Sequence, residues 1–267
     1  MKKKICRVQQ LLLVNYNRKM YLLLFVILTL YGLNLLINHA GANQNVYDIL
    51  MQLTEFLSFS YMIMPTFLAL LISHFSQGPV QEYIAFRYSS RIAWYHMNIV
   101  SLAVVTTGFT GAIFSIIVMQ SLFILDFHNE WSLFAQGYYT QHTVFMSNIS
   151  PITYIIMSAL LLWLVLFLFG VLFYLIFLWT KKLMLAAMII ILLIVANSLM
   201  TLNKLETWTP YFFTDHLSIM QYVYKFETNQ QILPIQMMSY WLVGLVIVYI
   251  IGRVTVGRVD LYWKKVD

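Results

Sequence analysis

Six stretches of this sequence each run for about seventeen residues or more without an Asp, Glu, Lys or Arg: 21–37, 56–75, 99–125, 152–179, 183–202 and 235–252. An α-helix crosses the roughly 30 Å hydrocarbon core of a bilayer in about 20 residues, at 1.5 Å each. Lipid offers no partner to a backbone N–H or C=O, so an apolar run of this length pairs its own backbone as a helix. Composition agrees: 61% of the 267 residues are hydrophobic and only 10% charged. A water-soluble domain has about 45–50% and about 25%. The expected fold is an all-α integral membrane protein, with residues 1–267 forming one transmembrane domain of six transmembrane helices.

Between the spans the chain is uneven. Residues 1–20 place Lys2, Lys3, Lys4, Arg7, Arg18 and Lys19 around Val8 and Leu11-Leu12-Leu13-Val14, the pattern of an N-terminal interfacial amphipathic helix. Ala40-Gly41-Ala42 resembles a signal-peptide cleavage site, but the preceding apolar run is too long and its basic leader too extended; a retained anchor is expected. Pro65 should kink the second span. Residues 39–55 and 126–150 read as polar connections. The longest one, 203–238, mixes Trp208, Tyr211, Phe212, Phe213 and Tyr222 with Glu206, Asp215 and Lys225, which suits interfacial or re-entrant helices at head-group depth.

Lysine and arginine set the orientation. With the N-terminus inside, 14 of the 16 basic residues face the cytoplasm and only Lys204 and Lys225 lie outside. The positive-inside rule then predicts a multi-pass protein with both termini cytoplasmic. The net charge of +6 flanks the spans and forms no nucleic-acid motif, so membrane lipids are its counterpart and no nucleic-acid partner is expected.

The spans carry none of the intramembrane charges that ion-coupled carriers and proton pumps usually retain. Neither His-Glu-x-x-His nor Gly-x-Ser-x-Gly occurs, and no phosphate-binding Gly-Lys-[Ser/Thr] loop. With Cys6 as the only cysteine, no cysteine-based metal cluster can form. No catalytic residue, metal or cofactor is expected. An ion-coupled carrier or channel, or an intramembrane enzyme, remains the alternative.

Two features could carry function. The stretch between spans two and three opens with Gly78-Pro79 and places Glu82 in the first turn of a helix. At four-residue spacing, Tyr83, Arg87, Arg91 and Tyr95 would share one stripe of that helix. In the third span, Ala103, Thr107, Gly111 and Ser115 recur every fourth residue. Small side chains at that spacing let helices approach closely in lipid, either within one subunit or between two.

Six spans, a basic leading segment, a short charged helix after span two and a long aromatic connection after span five resemble the membrane subunit of ABC-2-type transporters. The local pattern Tyr83-x-x-x-Arg87-x-x-Ser90-Arg91-x-x-Trp94 is similar to small Gram-positive permeases of bacteriocin or peptide-antibiotic export and immunity systems. That resemblance implies a permease in a bacterial cell membrane, exporting an amphipathic peptide or lipid-like substrate. It further implies a second permease subunit, identical or different, and a cytoplasmic ABC ATPase subunit that binds the ATP. Residues 79–94 would be the cytoplasmic coupling helix, with Glu82, Tyr83, Arg87, Arg91 and Trp94 as its coupling residues. Alternatively, Arg87 and Arg91 meet lipid phosphate alone.

Overall fold

The computed structural model describes residues 18–39, 44–76, 90–140, 143–202, 213–226 and 235–258. Their regular structure is helical apart from one isolated bridge between Asn45 and Asp126. The long helices are α1 (Arg18–His39), α3 (Phe56–Phe75), α4 (Arg91–Ser121), α7 (Pro151–Thr180), α8 (Leu183–Leu202) and α10 (Ile235–Arg258). Shorter helices are α2 (Val46–Leu53), α5 (Leu133–Tyr138), α6 (Thr143–Asn148) and α9 (Ile219–Phe226), the last preceded by a 3-10 turn, Phe213–His216. Five helices, α1, α3, α4, α7 and α10, are long and apolar enough to cross a membrane; the apolar stretch of α8 over its described side chains, Leu183–Leu199, is shorter. Among the described residues the architecture therefore fits a multi-pass membrane protein.

α7 lies at the centre. It packs against α3, α4, α8 and α10 and against the short α2, and 78% of its most apolar window is buried. Ser150 caps its start by accepting from the Thr153 N–H, and Pro151 takes the first turn, where a missing N–H costs nothing. The helix stops where Lys181 turns left-handed (φ 57°) and donates its N–H to the Phe177 carbonyl. The outer helices leave apolar side chains uncovered, among them Leu22, Leu30, Val104, Leu192 and Val246. A water-soluble chain rarely exposes so continuous an apolar surface.

In α3 the expected irregularity lies just before Pro65. Residues Phe59–Ile63 form one π turn, and Met64 donates to the Phe59 carbonyl. A widened turn takes up the strain of a proline that can neither donate nor tolerate the carbonyl four residues back. The Thr66 hydroxyl donates to the Met62 carbonyl beside it.

Residues 39–55 hold more structure than a polar connection. Asn45 and Asp48 form a reciprocal capping box, in which the Asn45 side chain accepts from backbone N–H groups of Tyr47 and Asp48 while Asp48 accepts from Asn45 N–H at 2.7 Å. The helix so started, α2, is buried along nearly its whole length. It is tied to the 126–139 segment by Val46 N–H to Asp126 O (3.2 Å), Asn45 Nδ2 to Glu130 O (2.9 Å) and Ser132 Oγ to Asp48 Oδ1 (2.9 Å). Tyr139 donates to Glu55 at 3.2 Å, and Trp131 Nε1 reaches the Met146 and Ile149 carbonyls. These bonds join α2, α5 and α6 into a cap over the Pro151 end of α7.

Burial pushes the Asp48 and Glu55 carboxyls above the ordinary carboxylate range, against the hydrogen bonds from Asn45 and Ser132 on one and Tyr139 on the other. The folded cap thus holds protons more tightly than the unfolded chain, whose carboxylates titrate near pH 4. Stability should be greatest below that value and fall as pH rises through the raised folded pKa values. Thermal unfolding of the detergent-solubilised protein should occur at higher temperature at pH 5 than at pH 7. Asp48→Asn with Glu55→Gln should shrink that difference.

Candidate functional site

The site begins at Ser90. Its backbone is extended (φ −155°, ψ 156°) and its hydroxyl accepts from the Ala93 N–H at 3.1 Å, so a helix starts at Arg91. Arg91 and Trp94 therefore belong to the head of α4, which begins at Arg91 rather than at 99 and stops at Ser121 rather than at 125. Its 31 residues span about 46 Å, more than the roughly 30 Å a bilayer needs. The expected stripe of Tyr83, Arg87, Arg91 and Tyr95 does not run down one uninterrupted helix, because Ser90 breaks it. Glu82, Tyr83 and Arg87 lie outside the described residues, as does most of the basic segment 1–20.

At the head of α4 the charged and the aromatic residues part company. Arg91 is exposed. Trp94 and Tyr95 turn inward and are 7% and 0% exposed. Tyr174 of α7 receives them both, with ring centroids 6.1 Å from Trp94 and 6.0 Å from Tyr95, the latter pair nearly parallel at 18°. Phe75, the last residue of α3, stacks on Tyr174 from another side at 5.0 Å and 16°. Tyr249 of α10 lies 5.8 Å from Tyr95, accepts the Tyr95 hydroxyl on its carbonyl at 3.3 Å, and bonds His96 through its own hydroxyl at 2.7 Å.

Four long helices thus meet in one aromatic clasp directly beneath Arg91. Next to it, His74 Nε2 and Ser101 Oγ are 3.2 Å apart and join α3 to α4 again. Gly252 of α10 is required here: a Cβ at that position would collide with the Tyr95 phenol, which is fully buried and cannot retreat. Each aromatic pair contributes about 0.5–1.5 kcal/mol beyond the area it buries. Among the described residues, no group of three His, Cys, Asp or Glu side chains that could hold a metal ion occurs. The clasp can transmit a displacement of the α4 head to α3, α7 and α10.

The uncharacterized protein BH0177 of Halalkalibacterium halodurans is 47% identical to this chain over 265 residues, covering 99% of this chain and 97% of that one. The chain belongs to the family of that protein. No family model matches it, and no solved structure does. The match to this relative runs through all the helices described above.

The small-residue stripe of this family member turns away from the chain's own core. Ala103 is half-buried, whereas Thr107, Gly111 and Ser115 are exposed. A Cβ added at Gly108 or Gly111 would meet open space. Leu102, Val105, Phe109, Ile113 and Ile117 form the buried face of α4 instead. Within the chain the stripe touches α7 at Thr107, whose hydroxyl accepts from Trp163 Nε1 at 2.9 Å.

Residues that sequence reasoning passed over are Tyr174, Phe75, Tyr249 and Gly252 in the clasp, and Asp48 and Glu55 in the cap. Only the cap had a legible signal, Asn45-x-x-Asp48 before an apolar run. The clasp joins residues up to 154 positions apart, and its aromatic members look like any others within a span.

Tyr174 is fully enclosed and its hydroxyl has no hydrogen-bond partner among the described residues. Tyr174→Phe should therefore leave stability unchanged or raise it. Tyr174→Ala should cost about 3–5 kcal/mol, the usual loss for deleting a buried ring, and Gly252→Val should destabilise by forcing Tyr95 out of place. Thermal unfolding in detergent, followed by tryptophan fluorescence, checks all three.

Proposed function

We propose that this protein is the membrane-spanning permease subunit of an ATP-binding cassette exporter of the ABC-2 type. The observation that carries the reading is the head of α4. Exposed Arg91 sits on a buried clasp that links four long helices, immediately after the charged stretch containing Glu82 and Arg87. A force applied to that stretch from outside the bilayer would reach α3, α4, α7 and α10 together. The basic residues place it in the cytoplasm under the positive-inside rule, where an ATPase can act on it.

In this reading the chain makes six passes, with α8 as the fifth, and both termini are cytoplasmic. It lacks a phosphate-binding loop, so ATP is bound and hydrolysed by a separate subunit, and the permease itself is not an enzyme. Glu82, Tyr83, Arg87 and Arg91 contact the ATPase. Trp94, being buried, passes the movement on to Tyr174 rather than touching the partner. The exposed small-residue face at Thr107, Gly111 and Ser115 is where a second permease subunit packs. The cargo is an amphipathic peptide or lipid-like molecule moved out of the cytoplasm or the inner leaflet.

Purification of the tagged chain from its native membrane in mild detergent should bring a nucleotide-binding subunit with it. Arg87→Glu with Arg91→Glu should release that subunit and abolish export while leaving membrane insertion intact. Transport by the purified chain alone, or full export by the double charge reversal, would overturn the reading.

A further inference from the structure

A groove of about 920 Å³ runs between α7, α8 and α10 and is roofed at one end by the 3-10 turn Phe213–His216. Its volume lies at the upper end of the roughly 300–1,000 Å³ usual for small-molecule sites. Polar side chains of the lining come from the roof, from α8 at Asn197 and from the start of α10. Under the roof stand the side chains of His216, Gln236 and Ser239, with Tyr222 donating to Gln236 Oε1 at 2.9 Å, so that the Gln236 amide presents its N–H₂. Trp241 Nε1 holds the His216 carbonyl at 2.8 Å, and Tyr240 stacks on the His216 ring at 4.2 Å, which fixes the roof on α10.

Farther along α10 the lining turns apolar, through Val243, Ile247 and Val248, and is completed by Leu168, Leu172 and Leu193. From Gln236 to Val248, at 1.5 Å per residue, is about 18 Å. The mouth lies between side chains that are themselves uncovered: Leu193, Val243 and Ile247 are 44%, 58% and 52% exposed. On two apolar helices such a mouth opens to lipid. Gly244 forms part of the floor, where a Cβ would come within 2.8 Å of Leu168 Cδ1. None of the lining residues is an Asp, Glu, Lys or Arg, so a charged head group would find no counter-charge in the groove.

We propose that this groove binds one acyl-chain amphiphile with an uncharged, hydroxyl-bearing head of the monoacylglycerol kind. The head hydrogen-bonds Gln236 and Ser239, and the chain lies along Leu168, Leu193, Val243 and Ile247. The proposal names the chemical class that the permease reading leaves broad and in that respect rests on it. Binding to the isolated chain needs no ATPase, however, so the two can fail separately.

The test uses the full chain in phosphatidylcholine nanodiscs, a 1-acylglycerol carrying a diazirine in its chain, and peptide mapping after photolysis. Label should concentrate on α8 around Leu193 and on Val243–Val248. Excess 1-monooleoylglycerol should displace it, and oleate or phosphatidylglycerol should not. Leu193→Trp with Ile247→Trp, at the exposed mouth, should abolish the specific label. Gln236→Ala with Ser239→Ala should weaken competition about thirtyfold, the worth of two hydrogen bonds. Unaltered thermal unfolding shows that either variant is folded. A neutral glycerolipid retained through purification identifies a resident lipid, and exchange during the assay a cargo; both uphold the site. Label spread over every uncovered helix in proportion to exposure, equal competition by oleate, or an undiminished signal in both variants would overturn it.

Discussion

A helix of 30 residues without one charged side chain has to keep most of its flank from water, and Pro151–Thr180 does so by packing, with Ile152, Ile156, Leu160 and Trp179 left exposed. Its neighbours are arranged by what it offers them. Leu102 of α4 packs at Gly170, where a Cβ would come within about 3.1 Å of it. Phe169 meets Phe59 of α3 and Phe213 of the roof, and Tyr174 receives Phe75, Trp94 and Tyr95. Removing this axis would take from α3, α4, α8 and α10 the helix they share, whereas α1 packs on α4 and α3. Lipid is as apolar as leucine, so helices in it are held by close packing and a few hydrogen bonds and not by escape from water.

The two ends of the bundle differ in kind. At the Ser150 end, a polar network anchored on Asn45, Asp48 and Ser132 closes the structure with hydrogen bonds. At the Arg91 end, aromatic rings do most of the joining, and Arg91 and Arg253 stay at the surface. Hydrogen bonds cross that end as well, from the Tyr95 hydroxyl to the Tyr249 carbonyl and between Tyr249 and His96, so the head of α4 is held to α10 by rings and polar bonds together.

The long helices were legible because an uncharged run of twenty residues has few other ways to fold. The class of fold follows from those runs alone. What escaped depends on contacts distant in sequence. Residues 45–55 read as a polar connection because their burial is supplied by the 126–139 segment, which no local pattern announces. The start of α4 was placed at Ile99 by hydropathy, but a capping serine at position 90 extends the helix through Tyr95 and His96, polar residues that gain partners on α10. Trp94 looked like a surface member of a charged stretch, whereas its place on the helix faces Tyr174. The spacing of Ala103, Thr107, Gly111 and Ser115 was plain; that most of it faces outward could be known only once the opposite face of α4 was seen to be the buried one.

The reading of this chain as a coupled permease depends on the head of α4 moving with α10 through the clasp. Distances between spin labels answer this directly, with one label at Arg91, one at Arg253, and Cys6→Ser to remove the native thiol. In nanodiscs the protein should give one narrow distance distribution, which broadens or splits when Tyr249→Ala removes the ring that joins α10 to Tyr95 and His96 of α4. An unchanged narrow distribution in that variant, or a broad one with Tyr249 intact, would contradict the clasp as the link.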